Sequence, residues 1–230
     1  MILSILIPVF NEENTILEIL KKINEINLDR FGLEKEIIIV NDGSTDRTKK
    51  ILEELKTRNN FALFHHRKNQ GKGAAIKTGL EHAAGDFILI QDADLEYDPA
   101  DYPVLLEPLI ENEINIVYGS RGLKKNPSSS IGFYLGGKFL TFILNLLFGT
   151  KLTDINTCYK VFKREVLRDI KLEESGFAFC EEVTAKVIKK GYKIKEIPIS
   201  YNPRDFKEGK KIRFYDGIIG LWTIIKYRIL

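Results

Sequence analysis

Four hydrophobic runs fall within the first 121 residues, and each ends in a short polar motif. Residues 2–7 run into Pro8-Val9-Phe10-Asn11-Glu12-Glu13, and residues 36–40 into Asn41-Asp42-Gly43-Ser44-Thr45-Asp46. Residues 86–90 run into Gln91-Asp92-Ala93-Asp94, and residues 115–119 into Ser120-Arg121. Continuous apolar runs of this length suit strands buried on both faces of a parallel sheet. Helical patterns separate them. Ile16, Leu17, Ile19, Leu20 and Ile23 follow a cap at Asn14/Thr15; Ile51, Leu52 and Leu55 follow one at Ser44, Thr45 or Asp46; residues 71–84 alternate small and apolar side chains. A short strand is expected over 61–64. The alternation predicts an α/β fold, Rossmann-like, with right-handed crossovers and a mostly parallel sheet flanked by helices. Ligands of such sheets bind outside the carboxyl ends of the strands. The four polar motifs therefore describe one site.

The second half reads differently. Residues 131–149 are the most apolar stretch, broken by Lys138 and Asn145. At most ~10 apolar residues run uninterrupted, where a spanning helix needs about 20. Two readings stand: a buried core helix, or a helix lying at a membrane surface. Residues 192–201 look like a late strand. Residues 212–230 form an amphipathic helix, with Phe214, Ile218, Leu221, Trp222 and Ile225 on one side and Lys226 and Arg228 near its end. It can pack on the body or dip into headgroups.

Charge sharpens this picture. The 230-residue chain carries a net +3, but from residue 204 onward seven basic residues face three acidic ones, 7 − 3 = +4, leaving −1 for the rest. A basic end on a near-neutral body points to an anionic partner. Nucleic acid is not expected, because no aromatic–basic stacking platform accompanies that charge. Cys158 and Cys180 share no metal-ligand spacing, and His65, His66 and His82 form no triad with a serine or cysteine. The first residues lack the basic region of a signal peptide.

Asp92 and Asp94 carry the most chemistry. Two carboxylates this close repel unless a cation lies between them, and Mg²⁺ typically takes one or two carboxylates and fills its remaining positions with phosphate oxygens and water. Glu96 can add a third oxygen. Gly71-Lys72-Gly73 opens a helix whose N-terminus favours anions, without the frame of a P-loop. Arg121 can pair a phosphate bidentately. Asp42 and Asp46 read either as site residues or as turn and cap residues.

Taken in order, PVFNEE (8–13), NDGSTD (41–46), NQGKGAAIKTG (69–79), QDADLEYDP (91–99), GSR (119–121), TDINTCYKVFKREV (153–166), EEVTAK (181–186) and IPISYNPRDFKEGKKI (197–212) resemble family 2 glycosyltransferases of the GT-A fold. Within these the likeness is to polyprenyl-phosphate hexosyltransferases, the dolichyl-phosphate mannose and glucose synthases. The resemblance implies that Pro8, Phe10, Glu12, Val40 and Asp42 line the base and ribose of a nucleotide sugar, GDP-mannose or UDP-glucose. It implies that Asp92 and Asp94, with Ala93 beside them, hold Mg²⁺ or Mn²⁺ and the donor diphosphate. Arg121, Arg204 and Lys210 would meet phosphates of donor or acceptor, Lys72 is counted among the cofactor-binding residues, and Glu182 matches an acidic position near the sugar. Glu96 stands where mannose synthases often carry glutamine.

On this reading residues 1–211 are the glycosyltransferase domain. Residues 1–121 form its nucleotide-sugar half, residues 122–211 its acceptor half with the apolar segment 131–149, and residues 212–230 a C-terminal helix. The expected reaction is an inverting, metal-dependent hexose transfer to a polyprenyl (dolichyl) phosphate, peripheral on the cytoplasmic side of the membrane. A homo-oligomer or a membrane-anchored partner subunit would be compatible with it. The acceptor phosphate is already largely ionised at neutral pH, so it needs cationic guidance from Arg204, Lys210 and Lys211 rather than a strong base. The alternative is transfer to a saccharide hydroxyl in cell-surface polysaccharide synthesis, which needs a carboxylate base such as Glu182 or Asp154.

Overall fold

The structure, a computed structural model, describes residues 1–111, 114–127, 131–204, 209 and 211–230. The four apolar runs become β1 (Ile2–Val9), β2 (Glu34–Asn41), β4 (Phe87–Ile90) and β5 (Ile116–Ser120). With β3 (Ala62–His65), β6 (Lys160–Lys163) and β7 (Ile194–Pro198) they build one seven-stranded sheet in the order β3-β2-β1-β4-β6-β5-β7. β1 lies between β2 and β4, with Ile5 beside Ile37 on one side and Leu89 on the other. Its Leu3, Ile5, Leu6 and Ile7 are all buried, as a strand covered on both faces requires.

One strand departs from the expected pattern. β6 runs antiparallel to both neighbours, pairing Ile88 with Phe162 and Val117 with Val161, while every other pairing is parallel. Reversal has a geometric consequence: the residues that precede β6 lie at the carboxyl edge of β4 and β5. Residues 121–159 thus leave the sheet and return to it at the same edge.

The helices are α1 (Ile16–Glu25), α2 (Thr48–Lys56), α3 (Lys72–His82), α4 (Tyr102–Glu111), α5 (Ile131–Phe148), α6 (Arg164–Arg168), α7 (Phe179–Lys189) and α8 (Phe214–Ile229). α1 buries Ile16, Ile19, Leu20 and Ile23, whereas Leu17 points outward, away from the stripe. α5, expected either in the core or at a surface, is mostly exposed. It buries only Leu140, Thr141 and Leu144, and presents Leu135, Phe139, Phe142 and Leu146 to the outside. With 18 residues and a mean hydropathy of 1.6, α5 is, among the described residues, the helix long and apolar enough to cross a membrane.

α5 packs against α8, and Leu140, Leu144, Ile155 and Ile224 form a second, smaller core. α8 turns Gly220, Thr223, Ile224 and Tyr227 inward. Of the apolar side read from the sequence, able to pack or to meet headgroups, Phe214, Ile218 and Trp222 are exposed. The two helices therefore share an uncovered apolar surface.

Candidate active site

At the carboxyl edge of β1, β2, β4 and β5 lies a cavity of 1220 Å³. Pro8, Phe10 and Glu12 enter it from the end of β1, Asp42 from β2, and Lys72 from the start of α3. Asp92, Ala93 and Asp94 enter from β4, Arg121 from β5, and Arg204 from the segment after β7. Together with Glu96 and Lys211, these residues singled out from the sequence converge here. Val40 does not: it is buried within β2, beside Pro8 in the strand register, and is absent from the cavity wall. Lys210 lies outside the described residues.

The loops are stitched to one another. Asn11, at φ 51°, accepts from the Thr45 amide at 2.8 Å through its side chain, and its own amide donates to the Ser44 hydroxyl at 3.0 Å. Asp46 accepts from the amides of Thr48 at 2.9 Å and Glu13 at 3.3 Å, the bond of a turn residue and a tie to the first loop. Gly43, at φ 67°, leaves no room for a side chain: a Cβ there would stand 2.4 Å from the Lys68 carbonyl carbon. The Asp42 carboxylate accepts from the amides of Gln70 at 2.8 Å and Gly71 at 2.7 Å, just ahead of α3.

The Asp92-Ala93-Asp94 turn is anchored from below. Buried Gln91 accepts from the hydroxyls of Tyr102 (2.7 Å) and Tyr159 (2.8 Å), and its amide donates to the Asp92 carbonyl at 2.9 Å. Leu95 then adopts φ 63°, a left-handed conformation that costs on the order of 1–3 kcal/mol for such a residue and recurs at functional sites.

The electrostatics of the pair are unequal. Burial raises the Asp94 carboxyl to about 7, and the charges of Asp92 and Glu96 add to that push. Burial acts on Asp92 too, but the Lys72 ammonium, 2.6 Å away, holds it below the usual carboxylate range. Arg204 reaches Glu12 at 3.0 and 3.1 Å and Asp94 at 3.1 Å. Lys211 bonds the Phe10 carbonyl and Glu12. The protein's own cations thus occupy an acidic pocket that calls for positive charge.

That test favours a divalent ion on Asp92 and Asp94, two hard oxygen donors of the kind Mg²⁺ and Mn²⁺ take. It does not favour the third ligand. Glu96 accepts from the Tyr201 hydroxyl at 3.0 Å and the Arg204 amide at 2.8 Å. Among the described residues no three His, Cys, Asp or Glu side chains converge as a metal cluster.

Glu182 also departs from expectation. It is fully buried, accepts from the amides of Glu173 (2.7 Å) and Glu174 (2.8 Å), pairs with Lys186 at 2.7 Å, and is not on the cavity wall. Its effect on the site is indirect. The loop it holds places the Ser175 and Gly176 carbonyls on the amides of Ala74 and Gly73, beneath the start of α3. Asp154, the other carboxylate weighed as a base, is clamped by Arg121 at 2.7 and 2.8 Å. Against the push of burial, that guanidinium keeps Asp154 ionised, with its carboxyl below the ordinary value. Asn156, Phe177 and Tyr201 line the cavity without having been anticipated from their motifs. For Asn156 and Tyr201 the signal was available, since they lie within 153–166 and 197–212.

The sequence model of glycosyl transferase family 2 matches residues 4–171. The chain belongs to glycosyl transferase family 2. This glycosyltransferase is 31% identical over 209 residues to the uncharacterized protein MJ0544 of Methanocaldococcus jannaschii, covering 87% of this chain and 88% of that one. It is 30% identical to a dolichol-phosphate mannosyltransferase of Pyrococcus furiosus, over 90% of this chain and 58% of that protein. It is 28% identical to the low-salt glycan biosynthesis hexosyltransferase Agl6 of Haloferax volcanii, over 99% of this chain and 53% of that protein. The chain thus spans little more than half the length of these two functionally named relatives. Among solved structures, glucosyl-3-phosphoglycerate synthase of Mycobacterium tuberculosis superposes with a TM-score of 0.76 at 19% identity, covering 99% of this chain and 80% of that one. The GT-A fold expected from the sequence is borne out.

Proposed function

We propose that this glycosyltransferase moves a hexose from a nucleotide sugar to a polyprenyl phosphate at a membrane surface, with inversion. The observation that carries the reading is the two-ended shape of the cavity. One end holds Asp42, Asp92, Asp94 and Arg121; the other runs between α5 and α8 along Gly136, Gly137, Leu140, Gly217, Ile218 and Leu221. Space is open beside Gly136, Gly137 and Gly217, and the outer faces of both helices are exposed and apolar. A charged head joined to a hydrocarbon chain fits such a site, and a small polar acceptor has no use for its apolar end. The uncovered surface supports peripheral attachment through the sides of the two helices.

The donor would lie over Pro8, Phe10, Glu12 and Asp42, with its diphosphate toward Lys72 and Arg121. The synthase of similar fold was solved with Mg²⁺ and UDP, and with Mn²⁺ and UDP-glucose. The Pyrococcus furiosus relative is named for mannosyl transfer to dolichol phosphate. A UDP- or GDP-hexose with Mg²⁺ or Mn²⁺ follows from these likenesses and from the Asp92/Asp94 pair. When bound, the metal neutralises the charge that develops on the leaving diphosphate. Lys72 stays on Asp92 and orients it. Arg204 and Lys211, which now neutralise Glu12 and Asp94, are the cations that can be handed to an incoming phosphate. Such an acceptor attacks C1 through an oxygen already ionised, so no general base is required. The hydroxyl-acceptor alternative draws no support from Glu182 or Asp154, because both carboxylates are committed to other partners.

The test is incubation with labelled UDP-glucose or GDP-mannose, Mg²⁺ or Mn²⁺, and a short-chain polyprenyl phosphate. Label entering the organic phase as an acid-labile glycolipid is the expected result. Label that stays aqueous in a saccharide or phosphoglycerate product overturns the acceptor while leaving the family intact.

A further inference from the structure

Asp42 faces the cavity, but an imidazole that does not line it determines how. His66 Nδ1 lies 2.6 Å from Asp42 Oδ1, and its Nε2 lies 2.9 Å from the Thr78 hydroxyl on α3. The side chains of His66 and Asp42 are 10% and 3% exposed. The His66 amide donates to the Asn41 carbonyl at 2.9 Å, which fixes the ring's backbone against the tip of β2. An ionised carboxylate only accepts, so Nδ1 carries the proton and donates to Oδ1, while Nε2 shares a hydrogen bond with the Thr78 hydroxyl.

A carboxylate has about four lone-pair sites, and three are filled here. Oδ1 takes His66 and the Gln70 amide, and Oδ2 takes the Gly71 amide. The remaining capacity is on Oδ2. Without the imidazole, the two adjacent backbone amides alone would hold the group, and Oδ1 would be left with an open lone-pair site as well, so that either oxygen could turn to the ligand.

We infer that His66 is a positioning residue for donor recognition: braced by Thr78, it fills Oδ1 of Asp42 and so presents Oδ2 to an N–H or O–H donor of the nucleoside. The inference rests on the nucleotide-sugar reading and adds a residue that acts on its nucleoside end. It predicts that His66 acts on the nucleoside and leaves the diphosphate–metal end alone.

The experiment measures binding of UDP, GDP and pyrophosphate, each with Mn²⁺, by calorimetry, together with KM and kcat for the nucleotide sugar that turns over. In His66→Ala, binding of the preferred nucleoside diphosphate should weaken by about ten- to a hundredfold, the worth of one hydrogen bond to a charged group. Pyrophosphate binding should stay at the wild-type value, and the kinetic defect should fall on KM rather than kcat. His66→Asn puts an amide N–H close to the place of Nδ1 and should recover most of the affinity. His66→Gln, whose amide reaches toward Thr78 instead, should not. Wild-type nucleotide affinity in His66→Ala overturns the inference. So does an equal loss of pyrophosphate binding, or rescue by glutamine and not by asparagine. A wild-type protein that binds neither UDP nor GDP removes the donor reading itself, and this inference with it.

Discussion

Arg204 connects the chain after β7 to the acidic pocket, and its removal has a calculable effect. Its guanidinium is 14% exposed and donates to Glu12 at 3.0 and 3.1 Å and to Asp94 at 3.1 Å. Removing one partner of a buried ion pair typically costs about 3–5 kcal/mol, because the other charge is left uncompensated. Lys211 still bonds Glu12, so Arg204→Gln should sit near the lower end, about 3 kcal/mol. That is a large share of a total stability of about 5–15 kcal/mol. The loss should depend on pH with a definite sign. Asp94 is raised to about 7 from an ordinary 3.8, so the folded state holds a proton that the unfolded chain releases earlier. Below that window both states are protonated and nothing is lost there; through it, stability falls as pH rises. Arg204→Gln pushes Asp94 higher still, so its deficit should be larger at about pH 8 than at about pH 5.5. Urea unfolding in chelator at the two pH values measures this. Adding Mn²⁺ with UDP or GDP should then shrink the deficit, since the ion supplies charge that the arginine no longer does. A variant as stable as wild type in chelator at the higher pH refutes the reasoning, and so does a deficit indifferent to metal.

Three further outcomes follow from other residues. Glu182→Gln should lower thermal stability by several degrees, with kcat within a few-fold of wild type, because its carboxylate serves the amides of Glu173 and Glu174; a fall of about a thousandfold in kcat at unchanged stability would restore Glu182 to the chemistry. Glu181 is raised by burial to about 7 from 4.5, which makes wild-type stability drop by about 3 kcal/mol as pH climbs through that interval; Glu181→Gln should flatten the dependence, as unfolding free energies across the range will read. Phe142 and Trp222 are 60% and 65% exposed, and replacing both with glutamate should weaken sedimentation with anionic vesicles roughly tenfold or more; undiminished binding would move the attachment surface elsewhere.

The sheet and the convergence of the polar motifs at one edge could be read because they rest on local patterns. Runs such as 2–7 and 36–40 need two covered faces, and the polar residues at their ends can only lie at one edge of the sheet. β6 was illegible for a physical reason. It has four residues, begins with a lysine and ends with one, and Lys160 is fully buried, its ammonium bonded to the Ile155 carbonyl at 2.8 Å and lying over the Tyr118 ring. No periodicity announces such a strand. α8 carries apolar residues on two faces, so its sequence alone could not say which face would be covered. Glu182 and Val40 were assigned through motif position and Glu96 through its nearness to the Asp92/Asp94 pair, and neither says where a carboxylate finds donors or which way a strand residue points. The Asp42–His66–Thr78 contact joins three segments, and only the fold brings them together.

The Arg121–Asp154 pair acquires a further meaning from the reversed strand. Its two members stand near either end of the excursion from residue 121 to residue 159, which carries α5 out and brings the chain back beside its point of departure. The pair is a clasp on a closed loop. A loop fastened at its base can be lengthened, shortened or exchanged without disturbing the strands it springs from. On the function proposed, acceptor preference would sit in that replaceable cassette, and the strands at its base would keep their framework.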